Sequence, residues 1–464
     1  MTMAGPVGSD TPLVWSSRLT FLMASVGFAV GLGNIWRFPY VVGENGGSAF
    51  IVIYLAFAML IGVPLVMAEW TIGRRATDAA SASGSFRGVA RQAGASPRWG
   101  NVGGVAVLAV FMLMLIYTTI AGWTVDYFVR AASGAFENVT GEASKLAYDS
   151  LMASPLRLAF WHTVVVVLTV YINSRGLHGG IEKAVNVLMP ALFVSLILLV
   201  IYAATVGEMG ATAQFLLTPD FSKVTGKTLL MALGQAFFSI GIAMAVMITY
   251  GSYLGRETSI PANAFIVVGA DTLVALLAGL AIFPLVFQHG MAPNSGEGLV
   301  FQTLPVAFGM LPAGSLFASL FFFLLIAAAI TSCIGNFAPV VAWTEEKFAM
   351  SHSRAAMAAG LVMWALGIGS VLSFNVLAGF YPLDFIPLFE GKTIFASIDF
   401  IMANALLPLG ALFTAVFIGW VAQRDSIREE IGLDDGVAYR VWLLLIRYII
   451  PMALIVVFLS GILG

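Results

Sequence analysis

VGFAVGLGNIWRFPY, Val26 to Tyr40, is an apolar stretch of membrane-spanning character whose middle holds Gly27, Gly31, Gly33 and Asn34, followed by Arg37 and Pro39. A helix that loses its backbone pairing inside hydrocarbon leaves peptide groups unsatisfied, at several kcal/mol each. Such an interruption persists at bilayer depth only where it lines a cavity or binds a solute. This one points to a transporter.

The rest of the chain agrees with a membrane setting. Of 464 residues, 60% are hydrophobic and only 10% are charged, and the mean hydropathy is +0.95. Soluble domains carry roughly 25% charged residues, so this is a polytopic membrane protein; it is read as all-α integral membrane, with one domain over residues 1–464. A net charge of −2 and the absence of any basic tract give no sign of a nucleic-acid partner. The single cysteine, Cys333, excludes an internal disulfide, and the four histidines are scattered without metal-ligand spacing. No Ser-His-Asp set or metal motif suggests an enzyme.

Spans of roughly 20 mainly apolar residues are expected near 21–43, 48–72, 100–130, 158–174, 184–206, 228–253, 261–288, 314–344, 356–376, 395–421 and 440–463. The third and eighth run long. Residues 1–20 lack the order of a cleavable signal peptide and read as a cytoplasmic tail, with the first span as anchor. With that tail inside, fourteen Lys and Arg fall in cytoplasmic segments and six in external ones. The positive-inside rule then puts the C-terminus outside, in a plasma (bacterial inner) membrane. Residues 290–313, bracketed by Pro293 and Pro312, read as an external helical hairpin.

A second interruption lies half a chain later, in LGQAFFSIGIAMAVMITYGSY, Leu233 to Tyr253. It opens a second group of five spans as the first interruption opens the first. Five is odd, so the two halves, 21–206 and 228–421, would be inverted repeats, with 440–463 as an eleventh span. Paired broken helices at matching positions are the best sequence pointer to a midplane site in secondary transporters. Half-helix N-termini offer partial positive charge, and freed carbonyls offer oxygens to a cation. Either glycine cluster alone also fits ordinary helix packing, as the Gly27–Gly31 spacing illustrates.

The words AVGLGNIWRFPY, ENGGSAF (Glu44–Phe50), GVPLVMAEWTIGR (Gly62–Arg74), GQAFFS (Gly234–Ser239) and AAITSCIG (Ala328–Gly335) resemble the neurotransmitter:sodium symporter family, with its LeuT-type fold. The resemblance runs from Trp15 to the last span. It implies sodium-coupled uptake of an amino acid by alternating access, with spans 1 and 6 unwound at mid-membrane. The substrate and two sodium ions would be its small-molecule partners in the bilayer, and a single chain would suffice for transport. A sodium-conducting channel or a transport-inactive amino-acid sensor of the same fold are the alternatives.

Carried over by position, the first sodium site would comprise Ala29, Asn34, Ser239 and Asp271. An Asp in a span costs about 2.5–3.5 kcal/mol on insertion scales, so Asp271 is either functional or a buried structural acid. The second site would comprise Gly27, Val30, Ala328, Thr331 and Ser332, although both hydroxyls could instead bond their own helix. Tyr54, Gln235, Ser239 and Ala275 correspond to the chloride ligands of some relatives. Ala275 has no hydroxyl, and the Asp271 charge would stand in for the anion, making transport chloride-independent.

The substrate would meet Ala29, Gly31, Leu32, Gly33, Leu113, Tyr117, Phe238, Gly241, Met244, Ser332 and Asn336. Tyr117 and the backbone near Leu32 and Gly33 would take the α-carboxylate. Gly31 stands where monoamine carriers have Asp, which implies an amino acid. Gly241 and the adaptable Met244 imply a roomy pocket for a large neutral side chain. Asn336 either selects a polar group or bonds a neighbouring helix. Arg37 and Asp399 would pair as an outer gate above Tyr117 and Phe238, although Arg37 could also be a snorkelling cation. Trp15, Tyr253 and Glu346 would belong to the inner gate. Pro12 stands where relatives have Arg, with Arg18 a possible substitute. Gly180 and Pro190 match a pattern that lets the fifth span unwind, or form an ordinary kink.

Overall fold

The computed structural model describes residues 13–76, 80–293 and 298–463, and among them every regular element is helical. The first expected span is two helices, α1 (Arg18–Ala29) and α2 (Gly33–Glu44), which meet at 51° across Val30–Leu32. α2 begins with a π turn over Gly33–Arg37 and carries Pro39 just inside its α-helical part. Proline removes a donor, and its ring is tolerated in a first turn. The helix therefore restarts here and does not run through.

The following elements are α3 (Ser48–Arg75), α4 (Ala82–Gln92), α5 (Pro97–Ala132), α6 (Gly141–Met152), α7 (Pro155–Ser174), α8 (Leu177–Val206) and α9 (Met209–Leu217). The sixth expected span is again split, into α10 (Gly226–Ile240) and α11 (Val246–Ser252). Gly241, Ala243 and Ala245 between them all have positive φ, at 72°, 64° and 61°. Two alanines in the left-handed region are costly, and the sites that hold such backbone cluster where function resides. Then come α12 (Ile260–Gln288), α13 (Leu299–Gly309), α14 (Gly314–Phe348), α15 (His352–Leu372), α16 (Ile394–Val421), α17 (Arg424–Ile431) and α18 (Val437–Leu463).

Nine of these helices are long and apolar enough to cross a bilayer, in addition to the bent first pair. α5 and α14, at 36 and 35 residues, are each about 50 Å long at 1.5 Å per residue, so they tilt or project. They pack closely on one another and form the spine of the molecule. α1 rests on α8, α12 and α14, while α10 and α11 rest on α3. The broken helices thus lie at the centre. The outer helices α7, α8 and α18 turn Val167, Tyr171, Val187, Ile197 and Met452 outward, as a lipid-facing surface must.

Glycines set the tightest crossing. A Cβ on Gly73 of α3 would lie 2.0 Å from the Ile248 carbonyl oxygen, and one on Gly251 would lie 2.8 Å from the Trp70 carbonyl. The backbones of α3 and α11 therefore touch. One expectation changes. Among the described residues, 290–313 holds one helix, α13, and not a hairpin, with 294–297 outside the described set. The fifth span is helical across Pro190, with a π turn over Leu177–Ile181. Gly180 is needed there because a Cβ would fall 1.9 Å from the Ile172 carbonyl oxygen.

Candidate functional site

The two interruptions face each other around a small hollow. Its wall includes Ala29, Gly31 and Gly33 from the first break, Phe238, Ser239, Gly241 and Met244 from the second, and Phe28, Leu113, Tyr117, Ser332 and Asn336. Leu32, expected in the same set, donates its N–H to the Tyr117 hydroxyl at 3.1 Å. That bond holds the phenol of α5 against the N-terminal end of α2, where the helix dipole favours an anion. Gly31 has no space for a side chain. A Cβ there would lie 2.6 Å from Ser332 Oγ and 2.7 Å from the Tyr117 hydroxyl.

Gly241 does not enlarge the hollow as expected. A Cβ on it would meet the Phe28 ring at 2.3 Å, so an aromatic ring occupies that volume, and the positive φ of 72° there also favours glycine.

Beside the hollow lies a buried oxygen cluster. Asn34 donates its amide to Asp271 Oδ1 at 2.7 Å, to the Asp271 carbonyl at 3.0 Å and to Ser239 Oγ at 3.0 Å. Its Oδ1 accepts the Gly31 N–H at 3.1 Å. Ser239 donates to Asp271 Oδ2 at 2.7 Å, and the Tyr54 hydroxyl reaches Ser239 Oγ at 3.4 Å. Asn34, Tyr54, Ala275 and Asp271 are each 0% exposed. Asp271 makes no ion pair among the described residues. An uncompensated buried carboxylate is expensive, and neutral amide and hydroxyl donors answer only part of that cost. Carboxylate, amide and hydroxyl oxygens suit a hard cation. No group of His, Cys, Asp and Glu spaced for a transition metal exists among the described residues. Gln235 lies apart from this cluster, bonded to the Gly33 carbonyl and to Arg37.

The second set of expected ligands also converges. Ser332 Oγ of α14 donates to the Phe28 carbonyl at 3.0 Å, with the Val30 carbonyl at 3.5 Å. A Cβ on Gly27 would touch Thr331 at 3.4 Å. The Thr331 hydroxyl bonds back to the Ala327 and Ala328 carbonyls of its own helix. One hydroxyl therefore bridges to the broken helix, and the other faces it while bonded at home.

Above the hollow a vestibule of about 240 Å³ is lined by Arg37, Tyr117, Phe238, Phe395 and Asp399, among others. The expected Arg37–Asp399 ion pair is not formed. Arg37 donates to Gln235 Oε1 at 2.9 Å and stacks 4.9 Å from the Phe238 ring centroid, so its charge is answered across the vestibule from Asp399. Below, Trp15 closes the molecule. Its backbone N–H bonds the Tyr253 carbonyl and its indole N–H the Tyr250 carbonyl, both at 3.0 Å. Glu346 takes no part in this closure: it pairs with Arg87 at 3.2 Å and accepts from Ser81. Arg18 bonds Asn263 at 2.9 Å and does not replace the missing arginine, and Pro12 lies outside the described residues.

Two residues escaped the sequence reading. Glu69, 0% exposed in the C-terminal part of α3, accepts the Ala243 N–H at 2.7 Å and so holds the second interruption. An acid inside GVPLVMAEWTIGR was a visible signal, by the same cost that singled out Asp271. Glu182, at the start of α8, accepts the Ser16 N–H at 2.9 Å. Nothing in its surroundings in the sequence marks it.

The sodium:neurotransmitter symporter family model matches residues 13–140 and 142–464. The uncharacterized sodium-dependent transporter YhdH of Bacillus subtilis is 37% identical over 457 residues, covering 98% of both chains. An uncharacterized sodium-dependent transporter of Haemophilus influenzae is 34% identical over 451 residues, covering 96% of this chain and 97% of its own. Among solved structures, that of MhsT in complex with L-phenylalanine matches with a TM-score of 0.86 and 40% identity, over 97% of this chain and 99% of that one. With two broken helices around a buried oxygen cluster and a match of this extent, the chain belongs to the sodium:neurotransmitter symporter family: a multi-pass, sodium-coupled secondary transporter of LeuT-type fold, and not an enzyme.

Proposed function

We propose that this protein imports a large neutral, hydrophobic or aromatic, L-amino acid together with two sodium ions, by alternating access and without chloride. The carrying observation is the hollow itself. It is bounded by both interruptions, and its wall joins the apolar Phe28, Leu113 and Met244 to Tyr117, whose hydroxyl meets the Leu32 N–H just before α2. A zwitterion with an apolar side chain suits that combination. The L-phenylalanine held by the similar MhsT is a molecule of this class.

One sodium ion would take the Asn34, Ser239 and Asp271 oxygens with the Ala29 carbonyl. Asn34 would have to release the Gly31 N–H to turn its Oδ1 toward the ion. The second would lie among Gly27, Val30, Ala328, Thr331 and Ser332. Asp271 would supply the fixed negative charge at the place where chloride-dependent relatives hold an anion. Residues 21–206 and 228–421 would rock as inverted repeats, with the N-terminus cytoplasmic and the C-terminus outside. The Arg37–Asp399 pair would form on outer closure, and Trp15 with Tyr253 would part on inner opening.

Scintillation binding of the twenty amino acids to purified protein, with and without sodium, tests this reading. The expected result is sodium-dependent binding confined to large neutral side chains, lost in Asn34→Ala and Asp271→Ala. Unaltered sodium dependence in both variants would remove the first sodium site, and binding without sodium would remove the coupled mechanism.

A further inference from the structure

Asn336 is the one side-chain amide in the wall of the hollow. It is 3% exposed, and its Oδ1 has no hydrogen-bond partner. The other polar groups of that wall are engaged: the Tyr117 hydroxyl by Leu32, Ser332 Oγ by the Phe28 carbonyl, and Ser239 Oγ by Asp271. Buried amide oxygens are nearly always paired, and an unpaired one is costly in a water-poor interior. The neighbouring-helix bond that could have explained Asn336 from sequence is not what engages this oxygen.

Its place along α14 says what would complete it. Ser332 and Asn336 are four residues apart and share one face of the helix. Ser332 borders Gly31 and Tyr117, the end that suits a carboxylate. Asn336 is just over one turn further on, a rise of about 6 Å. That is close to the distance from the α-carbon of an amino acid to a polar atom on a ring attached at its β-carbon. The same wall includes the apolar side chains of Phe28, Leu113 and Met244. A substrate side chain must therefore be mostly hydrocarbon with one polar atom.

We propose that Asn336 is a specificity residue whose amide oxygen accepts a hydrogen bond from the substrate side chain, so that the protein prefers an aromatic L-amino acid bearing an N–H or O–H, tryptophan or tyrosine, over its donor-free counterpart. This rests on the hollow being the substrate site. An amide that also donates through Nδ2 can serve a phenol from either side, whereas an indole only donates.

The test uses purified full-length protein in sodium, with tritiated L-phenylalanine as the displaced tracer. L-tyrosine is compared with L-phenylalanine, and L-tryptophan with 1-methyl-L-tryptophan. Wild-type protein is expected to bind the donor-bearing member of each pair about tenfold more tightly. In Asn336→Leu, and in Asn336→Ala as an independent variant, both ratios are expected to fall to about one. Ratios near one in the wild type, or ratios unchanged in both variants, overturn the proposal while leaving the hollow as the substrate site. Absence of sodium-dependent binding of every one of these ligands to the wild type overturns both readings together.

Discussion

Glu69 accepts the Ala243 N–H at 2.7 Å, so a carboxylate of the second span grips the left-handed turn that interrupts the sixth. Its other oxygen has no partner among the described residues. The strained turn and the buried acid are therefore one device, each offsetting part of the cost of the other.

Glu69→Ala should leave the Ala243 N–H unsatisfied in the interior, a loss of about 1–3 kcal/mol. Glu69→Gln keeps an acceptor for it. The expected outcome is a lowered thermal midpoint and about tenfold weaker substrate binding in the alanine variant, with the glutamine variant close to wild type. Differential scanning fluorimetry and binding on the same samples check this. Equal damage in both variants would show that the charge, and not the acceptor, is what the turn needs.

Asp271→Asn keeps the shape of the oxygen cluster around Asn34 and Ser239 and removes its fixed charge. If that charge stands in for an anion, uptake by the variant should become chloride-stimulated, several-fold at constant sodium, while wild-type uptake is flat. Proteoliposome uptake with chloride replaced by gluconate measures it. A wild-type rate that climbs with chloride would remove the idea.

Gly31 abuts both Ser332 Oγ and the Tyr117 hydroxyl. Even Gly31→Ala should force one of them away and abolish amino-acid binding, although the protein should still elute as a single peak in size-exclusion chromatography. A variant that binds normally would mean that the hollow closes differently around its substrate.

Much of this was readable in advance, for reasons specific to each residue. The glycines and Asn34 in an apolar run, and Asp271 in another, are legible because hydrocarbon makes such residues costly, so their presence demands a cause. The long third and eighth spans were visible as apolar length. Pairings between polar groups on separate helices were less legible. Arg37 facing Gln235, Glu346 facing Arg87, and Arg18 facing Asn263 depend on rotations of packed helices that hydropathy does not record. Gly241 illustrates the same limit: a missing side chain reads as space, but the Phe28 ring, on the other broken helix, fills it.

Trp15 is 8% exposed and packs against Phe21, Tyr250 and Tyr253. Replacing a buried Trp by Ala typically costs about 3–5 kcal/mol, here spent on the closure below the hollow. Trp15→Ala should shift the population toward the inward-open form. A cysteine introduced at Ser252, in a Cys333→Ala background, should then be alkylated by a soluble maleimide at least tenfold faster than with Trp15 intact. An unchanged rate would assign Trp15 a role in folding alone.

Among the described residues, the seal at that end is built from peptide carbonyls, an indole, rings meeting edge-on or tilted, and single hydrogen bonds from Ser16 and Arg18, with no ion pair between Trp15 and its partners. Counter-ions screen charge pairs and leave dipoles and apolar contact nearly untouched. The tightness of this lower door should consequently change little with ionic strength, which would loosen a door latched by arginine and aspartate.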